Sequence, residues 1–415
     1  MSEFYRKFRD EIVAGGDTVN QPKPVNNGSS SWLSLALIIA LVVWLGLNNL
    51  WTLLFVFGLL VSVFLHEVGH FVTARWSGMK VTQFYMGFGP RLWSRQRGEL
   101  EYGFRAFPLG AFVRIIGMSN LDPVEPGEED RAYMHKSYPK RMLVITAGSL
   151  MHAIIAFVLF LGVYATAGRY SESGSVTVVE APAPGSPAER SGVLRDDVIV
   201  AFDGAPVDTR DELVAGITAR EPGDAVTVEI DRGGRPVSLD ATLAANPNDP
   251  TVAYFGVSTW SLDYVEHGVI ESIGWAAYDV VDSAIRSVSG VFTVLNPVNI
   301  LDSVTNENAD PTTRPSTVVG ASQLGGELGR QEGLKGVLML LAGVNVFVGV
   351  FNLFPLLPFD GGHAAIATYE RIRSRKGVPY RADVGKMVPV ATAVVALLAM
   401  LLLAGLYLDI TRPLG

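Results

Sequence analysis

The 415-residue chain contains no cysteine. Disulfides, iron–sulfur clusters, thiolate zinc sites and cysteine nucleophiles are therefore excluded together, and any metal must be held by nitrogen and oxygen. Charge is also sparse, with Asp, Glu, Lys and Arg making up 18% of the residues. Much of the rest is apolar and gathered into uninterrupted runs instead of a period of 2 or 3.6. Nor is there an excess of positive charge: 33 Lys and Arg stand against 41 Asp and Glu, a formal net charge of -8. The bases form no stripe interleaved with aromatics, which argues against nucleic acid as a partner. This is the composition of an integral membrane protein.

Residues Met1 to Ser31 are polar, rich in Asn, Gly, Ser and Pro, and read as a disordered cytoplasmic tail. The apolar stretch from Trp32 to Val72 is about twice the roughly 20 residues that span a bilayer. With the Asn48-Asn49 pair as a corner, it divides into spans over Trp32 to Leu47 and Trp51 to Arg75. Further spans are expected over Met142 to Ala167, over Val337 to Leu357 with a sequel to Asp360, and over Met387 to Leu408, five in all. Lys and Arg crowd the segments between spans two and three and between spans four and five, which places both in the cytoplasm. The long acidic insert from Arg169 to Lys335 then lies outside, in an inner (plasma) membrane protein with a cytoplasmic N-terminus.

The first part of the insert, Val176 to Leu243, alternates β-branched runs with turn dipeptides at Asp203-Gly204 and Gly233-Gly234 and holds a helical stretch at Asp211 to Ala219. It reads as a small α+β domain. Its line GSPAERSGVLRDDVIVAFDG, Gly185 to Gly204, resembles the PDZ signature, with Asp196 where that family usually has Gly. The second part, residues 265–294, has the apolar spacing of an amphipathic helix, either packed on the preceding domain or lying at the membrane surface. The segment from Glu101 to Ile116, within residues 80–118, alternates as strands do and suits a membrane-associated hairpin, joined by a cytoplasmic linker (119–141) to the third span. The fold class expected is a polytopic α-helical membrane protein carrying an extracytoplasmic α+β PDZ domain and a cytoplasmic-side β-hairpin.

The chemistry begins at His66-Glu67-Val68-Gly69-His70, near the cytoplasmic end of span two. Residues four apart share a helix face, so two imidazoles reach one metal ion while Glu67 stays beside it as a base for water. With six histidines in the chain, chance supplies such a motif only about 0.004 times. Two core histidines and a snorkelling Glu would also place costly ionisable groups inside a span. A catalytic zinc site usually has three protein ligands and a water. The helix-breaking run Asn352-Leu-Phe-Pro355-Leu-Leu-Pro358-Phe-Asp360-Gly-Gly-His363 leaves Asp360 as the best third ligand, with a mere helix-capping role as the bland alternative and His363 as a rival.

H-E-x-x-H in one span, N-x-x-P with a later D-G in another, and a PDZ module in the insert together resemble the site-2 protease family of intramembrane zinc metalloproteases, in its bacterial PDZ-containing form. The likeness runs from about Val61 to the end of the chain and includes Met86 to Met118. It implies Zn2+ on His66, His70 and Asp360, Glu67 as general base, and Asn352 as a polar contact for the substrate backbone, with Pro355, Gly148 and His152 in the same substrate-facing set. The family commonly has G-P-x-x-N in the span after the zinc helix, whereas this chain has Gly148-Ser-Leu-Met-His152. His152 thus stands where an amide is expected, and a buried polar contact between helices is its plainest reading.

A spanning helix has its carbonyls engaged and must unwind to be cut, and the hairpin edge offers a β-augmentation surface for the extended peptide. The substrate implied is a single-span membrane protein, by family analogy an anti-sigma factor already trimmed outside the membrane, with the lipid bilayer as the other partner. Two further classes compete with this one. A silent PDZ scaffold would tolerate loss of Glu67, which is present. A metal transporter would repeat polar residues along several spans, whereas here they cluster at one depth.

Overall fold

The computed structural model describes residues 36, 39, 40, 42–118, 124–247, 249–306, 310, 313–374, 378 and 380–413. The expected tail (1–31), residues 32–35, 37, 38 and 41 of the first span and residues 119–123 of the linker lie outside them. Within these bounds the chain divides into two compact units, one of residues 1–162 and 276–415, the other of 163–275.

In the first unit the apolar run after the corner forms helix α1 (Leu50–Trp76), started by Asn49, whose side chain accepts from Trp51 N at 3.0 Å and Thr52 N at 3.4 Å. Strands β1 (Val81–Arg97) and β2 (Leu100–Ile115) pair antiparallel with repeated register shifts and form a sheet of their own. Phe84 of β1 packs edge-on against Phe64 and Phe71 of α1, with ring centroids 5.6 and 5.5 Å apart. Two short 3-10 turns, Glu129–Arg131 and Tyr133–His135, lead into α2 (Tyr138–Ala167).

The second unit holds β3 (Arg169–Val178), α3 (Pro187–Ser191), β4 (Val198–Phe202), β5 (Ala205–Pro206), α4 (Arg210–Thr218), β6 (Ala225–Asp231), β7 (Pro236–Thr242), β8 (Ala244–Ala245), β9 (Ala253–Tyr254) and β10 (Thr259–Val265). Its main sheet runs β10-β3-β4-β6-β7, with β5 beside β4 and every pairing antiparallel. Val176, Ile199, Val228, Ile230 and Phe255 are buried at its centre, each contributing roughly 1.5–3 kcal/mol by leaving water. Ser186 caps α3, and Thr209 with Glu212 forms a capping box on α4. Asp196 has φ +70°, the left-handed conformation that favours Gly and that Asp tolerates better than most residues. The turn is therefore kept despite the departure from the PDZ pattern. The sheet reaches beyond Val176 to Leu243, since β3 begins at Arg169 and the edge strand β10 ends at Val265.

The chain continues through α5 (Val269–Val294), α6 (Pro297–Thr305), α7 (Val318–Glu332), α8 (Leu334–Asn352), α9 (Asp360–Arg373) and α10 (Val388–Thr411). Among the described residues four helical segments are long and apolar enough to cross a membrane: Leu50–Trp76, Tyr138–Ala167, Leu334–Asn352 and Val384–Thr411. They overlap the expected spans two to five, although the fourth stops at Asn352. The pair α5 and α6, bent by 67°, passes the same test only when taken together. Helix α7 lies in a stretch the sequence left without structure. A Cβ on Gly325, Gly326 or Gly329 would stand 2.6 Å from Phe55, 2.1 Å from Thr52 or 2.3 Å from Trp51, so these glycines let α7 pack directly on the first turns of α1.

Candidate metal centre

His66 and His70 lie one turn apart on α1, both buried. Their Nε2 atoms are 3.1 Å apart. His70 Nδ1 meets the Val144 carbonyl of α2 at 2.7 Å, which fixes the ring so that Nε2 faces the shared site, the usual outer contact of a metal-bound histidine. The approach depends on glycine. A Cβ on Gly69 would stand 2.8 Å from the Ala147 carbonyl oxygen, and one on Gly148 would stand 2.4 Å from both His66 Cε1 and His70 Nε2. The bare backbone of α2 at Gly148 is thus one wall of the site. This close approach was not apparent from the sequence, although glycine within an apolar run is a recognisable signal of it.

Asp360 arrives from the other side. Helix α8 ends at Asn352 instead of continuing to residue 360, residues 353–359 turn back, and Asp360 is the first residue of α9, whose N-cap is Phe359. The following glycines make the turn possible: a Cβ on Gly361 would lie 2.1 Å from the Leu353 carbonyl oxygen, and one on Gly362 2.6 Å from Leu357 N. Asp360 Oδ2 stands 3.6 Å from His66 Nε2 and 3.3 Å from His70 Nε2.

His66, His70 and Asp360 together form the one group of possible metal ligands among the described residues, and His363 is not in it. Nitrogen and oxygen ligands about 2.0–2.2 Å from a tetrahedral ion stand about 3.3–3.6 Å from one another. The three separations, 3.1, 3.3 and 3.6 Å, match that spacing. Asp360 Oδ2 is enclosed and makes no hydrogen bond, an arrangement that is costly for a carboxylate unless a cation completes it. The donor set and its spacing fit zinc.

Glu67 is carried by the same helix between the two histidines, and its carboxylate faces the Val113 main-chain N–H of β2. Asn352 is partly buried and Pro355 exposed, at the end of α8 and in the turn after it. His152 is 2% exposed, its ring centroid 4.9 Å from that of His66. Its Nδ1 pairs with Asn345 Oδ1 at 2.8 Å, while Asn345 Nδ2 donates to Ser62 Oγ at 3.1 Å and to the Leu341 carbonyl at 2.8 Å. This hydrogen-bonded series links α1, α2 and α8 directly beside His66. Asn345, 1% exposed, escaped the sequence reading. A lone amide in an apolar span must find a buried partner, and that was its available signal.

The profile of peptidase family M50 matches residues 54–397 of the chain. The chain is 33% identical over 397 residues to the zinc metalloprotease Rip1 of Mycobacterium tuberculosis, covering 87% of this chain and 97% of that protein. It is 32% identical over 400 residues to the Rip1 of Mycolicibacterium smegmatis, with the same two coverages. Among solved structures, the PDZ domain of an SdrC-like protein from Listeria monocytogenes aligns with 21% of this chain and 90% of its own length, at 19% identity and a TM-score of 0.19.

Proposed function

The chain belongs to peptidase family M50, the site-2 protease family, and is a membrane-embedded zinc metalloprotease; on that premise we propose that His66, His70 and Asp360 hold the zinc and that Glu67 is the general base. The observation that carries this reading is the convergence of three donor atoms at zinc-ligand spacing around an enclosed carboxylate oxygen that makes no hydrogen bond. Zinc in such a site supplies Lewis acidity toward a peptide carbonyl and lowers the pKa of a water. Glu67 takes a proton from the attacking water and passes it to the departing amine nitrogen, so that water adds across the C–N bond. His70 is kept in its productive tautomer by the Val144 carbonyl. Asn352 and Pro355, where α8 unravels, contact the substrate backbone together with the α2 segment from Gly148 to His152. The edge of the β1–β2 hairpin supplies replacement partners to an unwound peptide.

The substrate is a single-span membrane protein, in family terms an anti-sigma factor that has lost its outer domain, and the inserted PDZ domain acts as a size filter against untrimmed proteins. The protein sits in the inner membrane with its basic loops and N-terminus cytoplasmic and the PDZ domain outside. Single cysteines at Ser137 and Ser374 should then label only after the membrane is breached, and one at Ser238 in intact cells; labelling of Ser374→Cys from outside would overturn the orientation.

The central experiment follows cleavage of candidate single-span proteins, full-length and trimmed, alongside zinc content. Glu67→Gln should keep zinc and lose activity by about 10² to 10⁴, whereas His66→Ala and His70→Ala should lose zinc. Equal zinc loss in all three would reject the assignment of roles. Removing residues 176–243 should let full-length substrates be cut; slower cutting of trimmed substrate, with full-length protein still resistant, would make the domain a docking site instead.

A further inference from the structure

A cavity of about 310 Å³ opens at the start of α2 and the end of α9, away from the zinc ligands. Four basic side chains line it, Lys136, Arg141, Arg371 and Arg381, against one acidic residue, Glu370. Glu370 is already committed. Its Oε2 accepts from Arg141 Nη1 at 2.8 Å and lies 3.6 Å from Arg381 Nη1, and its Oε1 accepts from Ala382 N at 2.8 Å. Among the described residues neither Lys136 nor Arg371 meets an acidic side chain. Arg141 is 6% exposed, and its Nε is enclosed with no hydrogen-bond partner. Its guanidinium is held by Glu370 and by the Tyr133 ring, 4.8 Å away, so Lys136 and Arg371 are the cations of the cavity without a counter-charge, and together they suit an anion with several acceptor oxygens.

We propose that this cavity binds the phosphate of an anionic lipid headgroup. A lipid phosphate and a free phosphate share the recognition chemistry, and two observations favour the lipid. The cavity lies at the first turn of α2, a helix long enough to cross the bilayer, which is the level of the headgroups, and basic pockets at such helix ends hold anionic headgroups. Val378, on its lining, is 70% exposed. A soluble anion gives no reason for an apolar border on a cationic pocket, whereas acyl chains cover such a border.

The test uses the full-length protein in nanodiscs of equal parts phosphatidylglycerol and phosphatidylcholine, with the lipid retained on transfer to detergent quantified by mass spectrometry. Wild type should retain phosphatidylglycerol selectively. Each surface-proximal basic residue contributes roughly a fivefold factor, so Lys136→Gln with Arg371→Gln should weaken retention about thirtyfold, and Arg371→Gln alone about fivefold. Arg371→Lys should retain the lipid. Zinc content should be equal in all variants, which separates loss of the site from loss of the fold. The control pair Arg210→Gln with Arg235→Gln removes the same charge from the exposed surface of the second unit and should change nothing. Undiminished phosphatidylglycerol in zinc-loaded Lys136→Gln/Arg371→Gln, or an equal loss in the control pair, would overturn the proposal. Displacement of the lipid by millimolar inorganic phosphate would overturn the lipid as its source.

Discussion

Asp360 and Asp409 are both carboxylates set among apolar helices, and their surroundings are opposite. Asp409 is wholly buried near the end of α10, yet its Oδ1 accepts from Arg314 Nη2 at 2.9 Å and Ser316 Oγ at 3.2 Å. Its Oδ2 accepts from Thr317 N at 2.8 Å, Thr317 Oγ1 at 2.7 Å and Gly320 N at 3.0 Å. Those donors belong to the start of α7, so the carboxylate closes that helix N-terminus and ties α10 to it. Asp360, by contrast, turns an oxygen with no hydrogen bond toward two imidazole nitrogens. A buried charge whose acceptors are all filled is structural; one that is enclosed and incomplete marks where a cation binds.

The sharpest way to break this comparison is to neutralise each carboxylate. Asp360→Asn should lower zinc content and reduce peptide cleavage by on the order of 10² or more, because the proposed third ligand is removed, while the unfolding midpoint of the metal-free protein stays within a degree or two, about 0.5 kcal/mol. Metal analysis with denaturation of chelator-treated protein reads both. Asp409→Asn should do the reverse. Arg314, whose side chain is 8% exposed, would be left as an uncompensated buried cation, a loss of about 3–5 kcal/mol, with zinc retained in the protein that remains folded. Replacing both Arg314 and Asp409 by Leu should recover part of that stability. Zinc loss in Asp409→Asn without destabilisation would erase the distinction.

The same contrast explains what could be read from the sequence. Asp360 was singled out because helix-breaking residues and a metal motif elsewhere in the chain made a lone carboxylate in an apolar stretch informative, and the structure brings it to the two histidines. The four long apolar helices were legible as apolar runs, and the strands of the inserted domain as β-branched alternation between turn dipeptides. Helix α7 was not. Its packing on α1 rests on Gly325, Gly326 and Gly329, and glycine is the residue that propensity counts against a helix; only the partner's surface shows why it is there. Asp409 sat at the end of an apolar run, where a carboxylate suggests the water boundary and not a buried cap. Gly69 was given no role, and Gly148 was expected only as part of a substrate-facing set; their close approach to Ala147 and to the two histidines exists only once α1 and α2 meet.

That meeting point gives a smaller test. Gly148→Ala places a Cβ 2.4 Å from His66 Cε1 and His70 Nε2, closer than any real contact, so α2 must shift and drag the His70–Val144 bond with it. Zinc affinity, measured by competition with a chelator, should fall about 10- to 100-fold, the range typical of disturbed outer contacts. Unchanged affinity would mean that α2 moves freely and that the wall is not fixed by packing.

The smallest expected effect lies in the inserted domain, where a third carboxylate can be compared with Asp409 under titration. Asp197 is 1% exposed. Burial raises its pKa, but the Arg232 guanidinium, at 2.7 Å from each carboxylate oxygen, and the Leu194 N–H at 2.7 Å outweigh this and hold it below its ordinary value of 3.8. A depressed carboxylate stabilises the fold above its unfolded pKa, and that contribution is lost as pH falls through the lower folded value. The domain should therefore keep its full stability above about pH 4 and lose about 1 kcal/mol from this pair between that pH and the folded pKa, a modest figure because Arg232 is about a third exposed to water. Amide exchange of β4 and β6 in the full-length protein reads the change. Asp197→Asn should be destabilised at neutral pH by a similar amount and lose that part of the acid dependence. An acid sensitivity identical to wild type would assign the titration to another group.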